Sequence, residues 1–392
     1  MSKKYAIFIT VLFCAFLGTF FAANALTPDK DFSPVENRVL AQAPKLQPGK
    51  LTSLLPIQAE GNLLNGKFMS DFEEYVTDQF ALRDQWIALK AGAEYASNKR
   101  ENNGVYICDQ QTLIPRFDPP SDERAIQRCE NNFGYVDTFA SLAGVPVHFS
   151  LIPDKGAVWS DLLPAGAPYG DEGVYLARGA QTTAHWIDVS TPLTAHKGEP
   201  IYYRTDHHWT SLGAYYAYAA LMEGMGVTPV PLASYTKTTV SEDFCGTAFS
   251  TSGVRWMAPD AMDIYVPQEY ATVENNFGQG MESGALYDLD KLADKDKYAM
   301  FLGGNKPLTV VKSTTAPPDA PKLMLIRDSF SDSLAPFLCY NFSEIHLVDP
   351  RYYKTPMVQY VADNGIDQVL VLYSVDNFVH ESNLFVLSMG GK

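Results

Sequence analysis

The strongest constraint on the fold is an alternation of buried-strand and helix patterns near the C-terminus. Three apolar runs, KLMLIRD, SEIHLVD and QVLVLYSV, are separated by two helical segments, SFSDSLAPFLCYNF and PRYYKTPMVQYVADNG. Strand–helix–strand–helix–strand at this spacing predicts two parallel crossover units, with helices packed on the sheet. The sequence therefore predicts an α/β protein whose site forms beyond the carboxyl ends of the strands.

Each of these three strands ends in residues that can carry chemistry. Ser329 follows the first strand and opens a helix, whose free amides can receive a developing oxyanion. A serine at such a junction is otherwise only an N-cap, so Ser329 alone does not decide between the two roles. Arg351, Tyr373 and Asn377 follow the other two strands, and their positions make them candidates for oxyanion or substrate contacts.

The stretch YYRTDHHWTSLGAYY, Tyr202–Tyr216, is a second concentration of reactive side chains. Residues two apart point the same way in an extended chain. Asp206 and His208 are therefore predicted to face one site, while His207 faces away. An aspartate that orients a histidine is half of a nucleophilic triad, and Ser329 is the candidate for the missing nucleophile.

Two other interpretations of this stretch stay open. The acid can begin a helix beside two half-buried histidines and have no chemical role. Alternatively, Asp206, His207 and His208 can be the ligands of a metal-dependent hydrolase. His-His-Trp lacks the i,i+4 histidine pair of a helical zinc site, which counts against a metal. We therefore predict neither a metal nor a cofactor.

The chain begins with an apolar segment that predicts export. Lys3 and Lys4 precede an uncharged run, Tyr5–Ala23, that is long enough to span a bilayer. The two lysines are expected to stay in the cytoplasm, which puts the chain from about Thr27 onward outside the cytoplasmic membrane. Residues 1–26 are either a signal anchor or a signal peptide cleaved at Ala-Asn-Ala, and the length favours the anchor.

The remaining sequence predicts a docking linker and one domain. Residues 27–60 are rich in proline and polar side chains, and residues 61–392 hold the helix and strand patterns. Asp154 and Lys155 end a further apolar strand, where a solvated loop is the alternative to a site. An irregular region over residues 228–302 resembles an insertion that carries substrate contacts, and Arg255 is its candidate.

The charge of the chain narrows the class of partner. The formal net charge of the 392 residues is -15. A surface this acidic argues against nucleic acid as partner and against adsorption to anionic lipid. Contact with the membrane is therefore predicted only through the N-terminal segment.

Four cysteines lie beyond the apolar segment, at positions 108, 129, 245 and 339. They allow three connectivities. The short separation between Cys108 and Cys129 favours that pair together with Cys245–Cys339, and four buried thiols are the alternative. None of the four has the surroundings of an activated nucleophile.

Two motifs resemble a known family. TDHHW from Thr205 and RDSF from Arg327 resemble the DHHW family and, through it, the SGNH-hydrolase-like domain of alginate O-acetyltransferases. Further stretches fit the same resemblance: ENRVLA from Glu36, DFEEYVTDQFALRD from Asp71, FLGGN from Phe301 and DPRYY from Asp349. The resemblance covers nearly all of the chain after the N-terminal segment. It implies a three-layer α/β/α sandwich with a parallel sheet in permuted order.

The resemblance also implies a function. Ser329, His208 and Asp206 would form a triad that moves acetyl groups onto or off cell-surface or exported polysaccharide. The alginate enzymes read Asp-Thr-His-Trp, so His207 falls on their variable position and His208 is favoured as base. A membrane-embedded acyl-transferring protein is the implied partner, and transferase is preferred over esterase on the resemblance alone. The competing class is a non-catalytic surface protein that binds glycan or a partner through the same groove.

Overall fold

The structure is a computed structural model that describes residues 2–47, 63, 65–276 and 280–390. Packing divides the chain into two compact units, residues 1–99 with 253–255 and residues 100–252 with 256–392. Residues 48–60 of the predicted linker lie outside the described residues. The domain division at residue 61 remains a prediction.

The first unit begins with a long apolar helix. Its elements are α1 (Lys3–Leu26), β1 (Phe32–Ser33), β2 (Arg38–Val39), α2 (Lys67–Asp78) and α3 (Arg83–Ala96). Helix α1 has 24 residues, which at 1.5 Å per residue is about 36 Å. Its length and composition suffice to cross a bilayer, as the apolar run predicts.

Charged side chains hold the rest of this unit together. Arg38 donates to both carboxylate oxygens of Asp78, at 2.5 and 2.7 Å. The hydrogen bond from Arg38 holds the pKa of Asp78 below its usual range, against the effect of burial. Arg83 pairs with Glu36 at 2.9 Å. These contacts join the stretch that begins at Glu36 to helices α2 and α3.

The second unit contains the predicted α/β domain. Its strands are β3 (Glu101–Asn102), β4 (Val105–Cys108), β5 (Thr112–Pro115), β6 (Val147–Ile152), β7 (His185–Trp186), β8 (Thr238–Phe244), β9 (Asp260–Ile264), β10 (Ala271–Asn276), β11 (Met281–Gly284), β12 (Leu308–Ser313), β13 (Lys322–Arg327), β14 (Glu344–Val348) and β15 (Gln368–Ser374). Its helices are α4 (Glu123–Leu142), α5 (Lys155–Val158), α6 (Gly173–Gly179), α7 (Ser190–Ala195), α8 (Ser211–Gly224), α9 (Thr247–Ser252), α10 (Phe330–Leu338), α11 (Met357–Asp363) and α12 (Val375–His380).

In the described part of the chain, eight strands form one sheet in the order β11-β10-β12-β14-β13-β15-β6-β7. Strands β14, β13, β15, β6 and β7 are parallel. Strands β12, β10 and β11 extend the sheet in antiparallel pairs. Strand β6 precedes the others in the chain yet pairs with β15, the last of them, so the strand order is permuted.

Helices cover both faces of this sheet, because its central strands are apolar on both sides. Leu323 and Leu325 of β13 pack in a cluster with α8 and α10. Met324 and Ile326 point the opposite way and pack with α4, α11 and α12. The result is a three-layer α/β/α sandwich with a mostly parallel sheet, which confirms the predicted fold class.

The region over residues 228–302 is more regular than predicted. Strands β8 and β9 form a hairpin, and β10 pairs with β11 and β12. Ala271, Val273 and Asn275 of β10 are buried while their neighbours are less so. This alternation is hard to read in the sequence because the strand ends in polar residues. The predicted insertion therefore builds a hairpin and one edge of the sheet.

The predicted cysteine pairing is wrong. No disulfide joins the cysteines of the described residues. Cys108 and Cys129 pack in clusters on opposite faces of the sheet, so closeness in sequence does not bring their sulfur atoms together. Burial raises the pKa of the thiols to about 12 for Cys108 and Cys339 and about 11 for Cys129, which makes them poor nucleophiles.

Thiol titration tests this finding. Full-length protein purified without reductant and unfolded in guanidinium should react with Ellman's reagent at all 5 cysteines of the chain. In the native protein Cys108, Cys129 and Cys339 should react slowly, because they are buried and protonated. A count lower by two thiols after unfolding would show one disulfide and contradict the structure.

Candidate active site

The junction between β13 and α10 places Ser329 at the carboxyl edge of the parallel strands. The buried carboxylate of Asp328 holds this turn through three hydrogen bonds. It accepts from the Phe330 amide at 3.1 Å, the Ser374 amide at 2.8 Å and the Asn377 side chain at 2.8 Å. The end of β13 is thereby tied to the end of β15 and the start of α12.

The hydroxyl of Ser329 does not cap helix α10. Ser329 Oγ lies 2.8 Å from His208 Nε2, and His208 Nδ1 lies 2.6 Å from Asp206 Oδ1. The structure thus brings together three residues that come from two distant stretches of the sequence. The Ser329 amide donates to no group within the described residues.

The Asp206 carboxylate accepts four hydrogen bonds. Oδ1 accepts from the His208 amide at 3.0 Å as well as from its ring. Oδ2 accepts from the amide and the hydroxyl of Thr247, at 2.6 and 2.9 Å. Burial opposes ionisation, but the neighbouring histidines and these donors hold the pKa of Asp206 well below its usual range. The ionised carboxylate keeps a proton on His208 Nδ1 and leaves Nε2 to accept from Ser329.

A buried lysine fixes the loop that carries these residues. Lys155, the first residue of α5, is 1% exposed. Its ammonium group donates to three backbone carbonyls of the loop, those of Tyr203, Arg204 and Asp206, at 3.1, 3.3 and 2.5 Å. The sequence left open whether Lys155 at the end of β6 is part of a site or lies in a solvated loop. Because it is buried and holds the loop of the site, Lys155 is part of the structure of the site.

The prediction that His207 faces away from the site is wrong. Its ring packs against the ring of His208, with centroids 3.8 Å apart and planes at 37°. Its Nδ1 lies 2.7 Å from Thr247 Oγ1. Alternation of sides holds for an extended chain, whereas residues 204–208 form a bend, so both rings turn to one side.

An aromatic side chain that sequence reasoning missed supports the imidazole of His208. The ring of Tyr298 stacks on it, with centroids 3.8 Å apart and planes at 6°. The Tyr298 hydroxyl lies 3.2 Å from the Ser329 carbonyl oxygen and 3.0 Å from Ser333 Oγ. Tyr298 therefore contacts both the histidine and the serine turn. The closest motif in the sequence, FLGGN, begins after it at Phe301 and does not include Tyr298.

A cavity of about 330 Å³ lies next to His207 and Thr247, and its lining residues do not include Ser329 or His208. Side chains from several strand ends and from α9 line it, among them Asp154, Lys155, His207, Thr247, Ser374 and Asn377. Its size is at the lower end of the range for small-molecule pockets, which suits a single sugar unit or a short acyl ester.

Asp154, which lines the cavity, is hydrogen-bonded through its amide to a buried acid, Glu172. Burial, with the neighbouring carboxylates, raises the pKa of Asp154 well above its usual range. Burial also raises the pKa of Glu172 to about 8. The Tyr169 hydroxyl donates to Glu172 at 2.9 Å, and the Asp154 amide donates to the same carboxyl group at 2.8 Å. The raised pKa values favour the neutral forms of the two acids, which reduces the negative charge beside the cavity.

The residues predicted to contact the oxyanion or the substrate lie in different parts of the structure. Asn377 lines the cavity. Arg351 is bound to Asp349 through three contacts of 2.7 to 3.2 Å and does not line the cavity. Tyr373 is 1% exposed and packs in the core beneath the sheet, because it points to the opposite side from Leu372 and Ser374 on β15. Arg255 belongs to the first unit.

The metal alternative can be tested against the same geometry. Asp206, His207 and His208 offer ligand atoms within 4.8 Å of one another. The Asp206 carboxylate, however, already accepts four hydrogen bonds, and both nitrogens of His208 are engaged with Asp206 and Ser329. A metal here would have to displace the contacts that define the site, so the residues do not fit one.

Lys155 makes the free energy of unfolding of the protein depend on pH. Burial lowers its pKa from 10.5 to about 8 in the folded protein. Between these values the unfolded chain binds more protons, so the free energy of unfolding should rise with pH over this interval. The shift corresponds to roughly 3 kcal/mol in favour of the folded state by the top of the interval.

Urea unfolding at pH 7.5 and pH 10 measures this effect. The free energy of unfolding of the wild type should rise relative to that of Lys155→Met, which has no ammonium group to titrate. Lys237→Met is the control, because its ammonium group is exposed and its side chain is 57% accessible. An equal change with pH in the wild type and Lys155→Met would contradict the effect.

The chain is similar to one family model and to several solved structures. A family model described as DHHW protein matches residues 186–348. A DHHW family protein from Eubacterium siraeum is similar in structure, with 25% identity and a TM-score of 0.61, over 73% of this chain and 95% of that one. Bacillus cereus PatB1 is similar at 21% identity and a TM-score of 0.58, over 71% of this chain and 96% of that one. The O-acetyltransferase domain of Pseudomonas putida AlgJ matches at 16% identity and a TM-score of 0.46, over 72% and 94% of the two chains.

No curated protein matches the chain. The match to the family model includes both the histidine stretch and the strand end that holds Ser329. The resemblance to the DHHW family predicted from the sequence is therefore confirmed over residues 186–348.

Proposed function

We propose that this chain is a serine-dependent O-acyltransferase or esterase that acts outside the cytoplasmic membrane on polysaccharide. The observation that carries the proposal is the continuous hydrogen-bonded series from Asp206 through His208 to Ser329. The fold shared with the DHHW family protein and PatB1 supports it. Acetyl is the expected acyl group, as the resemblance to alginate O-acetyltransferases implies.

In the first half of the reaction the serine is acylated. His208 Nε2 takes the proton of Ser329 Oγ, which bonds to the carbonyl carbon of an acyl ester or thioester. Asp206 stabilises the imidazolium that forms. The Ser329 amide is free to donate to the oxyanion, and Asn377 has a second amide hydrogen besides the one given to Asp328. His208 then gives its proton to the leaving group, and the acyl group stays on Ser329.

In the second half an acceptor removes the acyl group. His208 takes a proton from a sugar hydroxyl or from water, whose oxygen bonds to the acyl carbon while Ser329 Oγ leaves and regains a proton. With a sugar the protein is a transferase, and with water it is an esterase. A membrane-embedded protein that passes acyl groups across the membrane is the partner we expect for the transferase.

Covalent labelling tests the nucleophile. One structure of PatB1 carries a sulfonyl adduct, and we expect a sulfonyl fluoride to attach to Ser329 of this chain. Detergent-solubilised full-length protein should release nitrophenol from 4-nitrophenyl acetate. Ser329→Ala should lose both the label and the release, and His208→Ala should slow release by ~10³-fold or more, because the serine loses its base.

Ser331→Ala is the matched control for Ser329→Ala. Ser331 is buried in the first turn of α10, and its hydroxyl has no hydrogen-bond partner in the described part of the chain. Its loss should leave both reactions unchanged, and a chelator should have no effect. Strong inhibition by a chelator that zinc reverses would favour the metal-dependent hydrolase. Glycan binding without any label at Ser329 would favour the non-catalytic protein.

Protease protection tests the location. Expressed in a bacterium, the protein should sediment with membranes through α1, and protease added outside the cytoplasmic membrane should remove all but a small N-terminal fragment. Lys3 and Lys4 direct this orientation. Full-length protein that is recovered in the cytosol and resists protease in intact spheroplasts would contradict the proposed location.

A further inference from the structure

His207 lies within the site, yet the triad gives it no task. Its side chain is 35% exposed, and it lines the cavity beside Thr247. Its ring is held on one edge, by the 2.7 Å contact between Nδ1 and Thr247 Oγ1, and on one face by His208. Its Nε2 has no partner among the described residues.

The hydrogen bonds determine which nitrogen of His207 carries the proton. The Thr247 hydroxyl has one hydrogen, and it donates that hydrogen to Asp206 Oδ2 at 2.9 Å, where the carboxylate can only accept. His207 Nδ1 must therefore donate to Thr247 Oγ1. Partial burial of the ring and the adjacent His208 lower the pKa of His207 to about 3, which keeps the ring neutral. A neutral ring with a proton on Nδ1 has a lone pair on Nε2.

The imidazole rings of His207 and His208 turn their corresponding nitrogen atoms to the same side. His208 Nδ1 contacts Asp206 and His207 Nδ1 contacts Thr247, and these two acceptors are hydrogen-bonded to each other. Both Nδ1 atoms therefore lie toward one side, and both Nε2 atoms lie toward the other. His208 Nε2 meets Ser329 on that side. The free lone pair of His207 is therefore on the side of the two stacked rings where His208 Nε2 meets Ser329.

We propose that the acyl acceptor is a vicinal diol, such as two neighbouring hydroxyl groups of one sugar, and that His207 binds the hydroxyl group that does not react. This inference rests on the proposed function. One hydroxyl gives its proton to His208 Nε2 and attacks the acyl carbon, and Ser329 Oγ leaves with the proton that His208 returns. The neighbouring hydroxyl donates a hydrogen bond to His207 Nε2 and keeps its own proton.

Acceptor competition tests this assignment. Full-length protein in detergent is given 4-nitrophenyl acetate with either 1,2-cyclohexanediol or cyclohexanol, and acetylated alcohol is compared with free acetate. The wild type should acetylate the diol roughly five- to tenfold more than cyclohexanol, after correction for the second hydroxyl of the diol. This factor is the effect expected of one added hydrogen bond. His207→Phe keeps a ring against His208 but has no acceptor, so this preference should disappear.

Two further measurements separate the outcomes. The rate of sulfonyl labelling at Ser329 is measured in each variant and reports the reactivity of the serine separately from the diol preference, which is a ratio of two products of one acyl-enzyme. His207→Gln restores an acceptor and should recover part of the diol preference. Two results would overturn the role of His207. One is normal labelling of the wild type without a preference for the diol, and the other is a diol preference in His207→Phe equal to that of the wild type. Absence of labelling in the wild type would instead overturn the proposed function.

Discussion

The site depends on burying the negative charge of Asp206, which is 1% exposed. A buried carboxylate is stable only when hydrogen-bond donors replace its water. His208 supplies two donors and Thr247 supplies two more. The approach of Thr247 also requires Gly246, since a Cβ at that position would lie 2.2 to 2.5 Å from Asp206 atoms. The same charge that orients the histidine therefore dictates how residues 246 and 247 pack against the loop.

A second set of buried charges fixes the serine. Arg327 is fully buried and pairs with Asp332 at 3.0 Å, while it also donates to Asn305 at 2.7 Å. Asp328 ties the same turn to the end of β15. The two side chains that precede Ser329, those of Arg327 and Asp328, are buried, and the Ser329 hydroxyl lies 2.8 Å from His208 Nε2. The charged residues around the serine thus set its position, and the reacting groups need no strained conformation.

The parts of the site that could be predicted from sequence lie within short motifs. Asp206 and His208 are two residues apart, and Ser329 follows a strand that its apolar pattern reveals. Tyr298 and Thr247 could not be found this way, because they reach the site from segments whose course only the folded sheet determines. The same limit explains the errors for His207 and for Tyr373. Which way those side chains point depends on a local bend and on the register of β15, and neither is visible in residue types.

The two adjacent histidines differ in what their Nδ1 atoms bind, and this explains why only one is suited to be the base. His208 Nδ1 donates to a carboxylate at 2.6 Å, so a positive charge on its ring would be stabilised, as the proposed role of base requires. His207 Nδ1 donates to a neutral hydroxyl and lies 3.5 Å from Asp206, too far for a comparable hydrogen bond. A proton on His207 would also repel a protonated His208. Because the Asp206 carboxylate bonds to the ring of His208 only, the two histidines are unequal. This difference suits His208 to the proposed role of base and His207 to the proposed role of neutral acceptor.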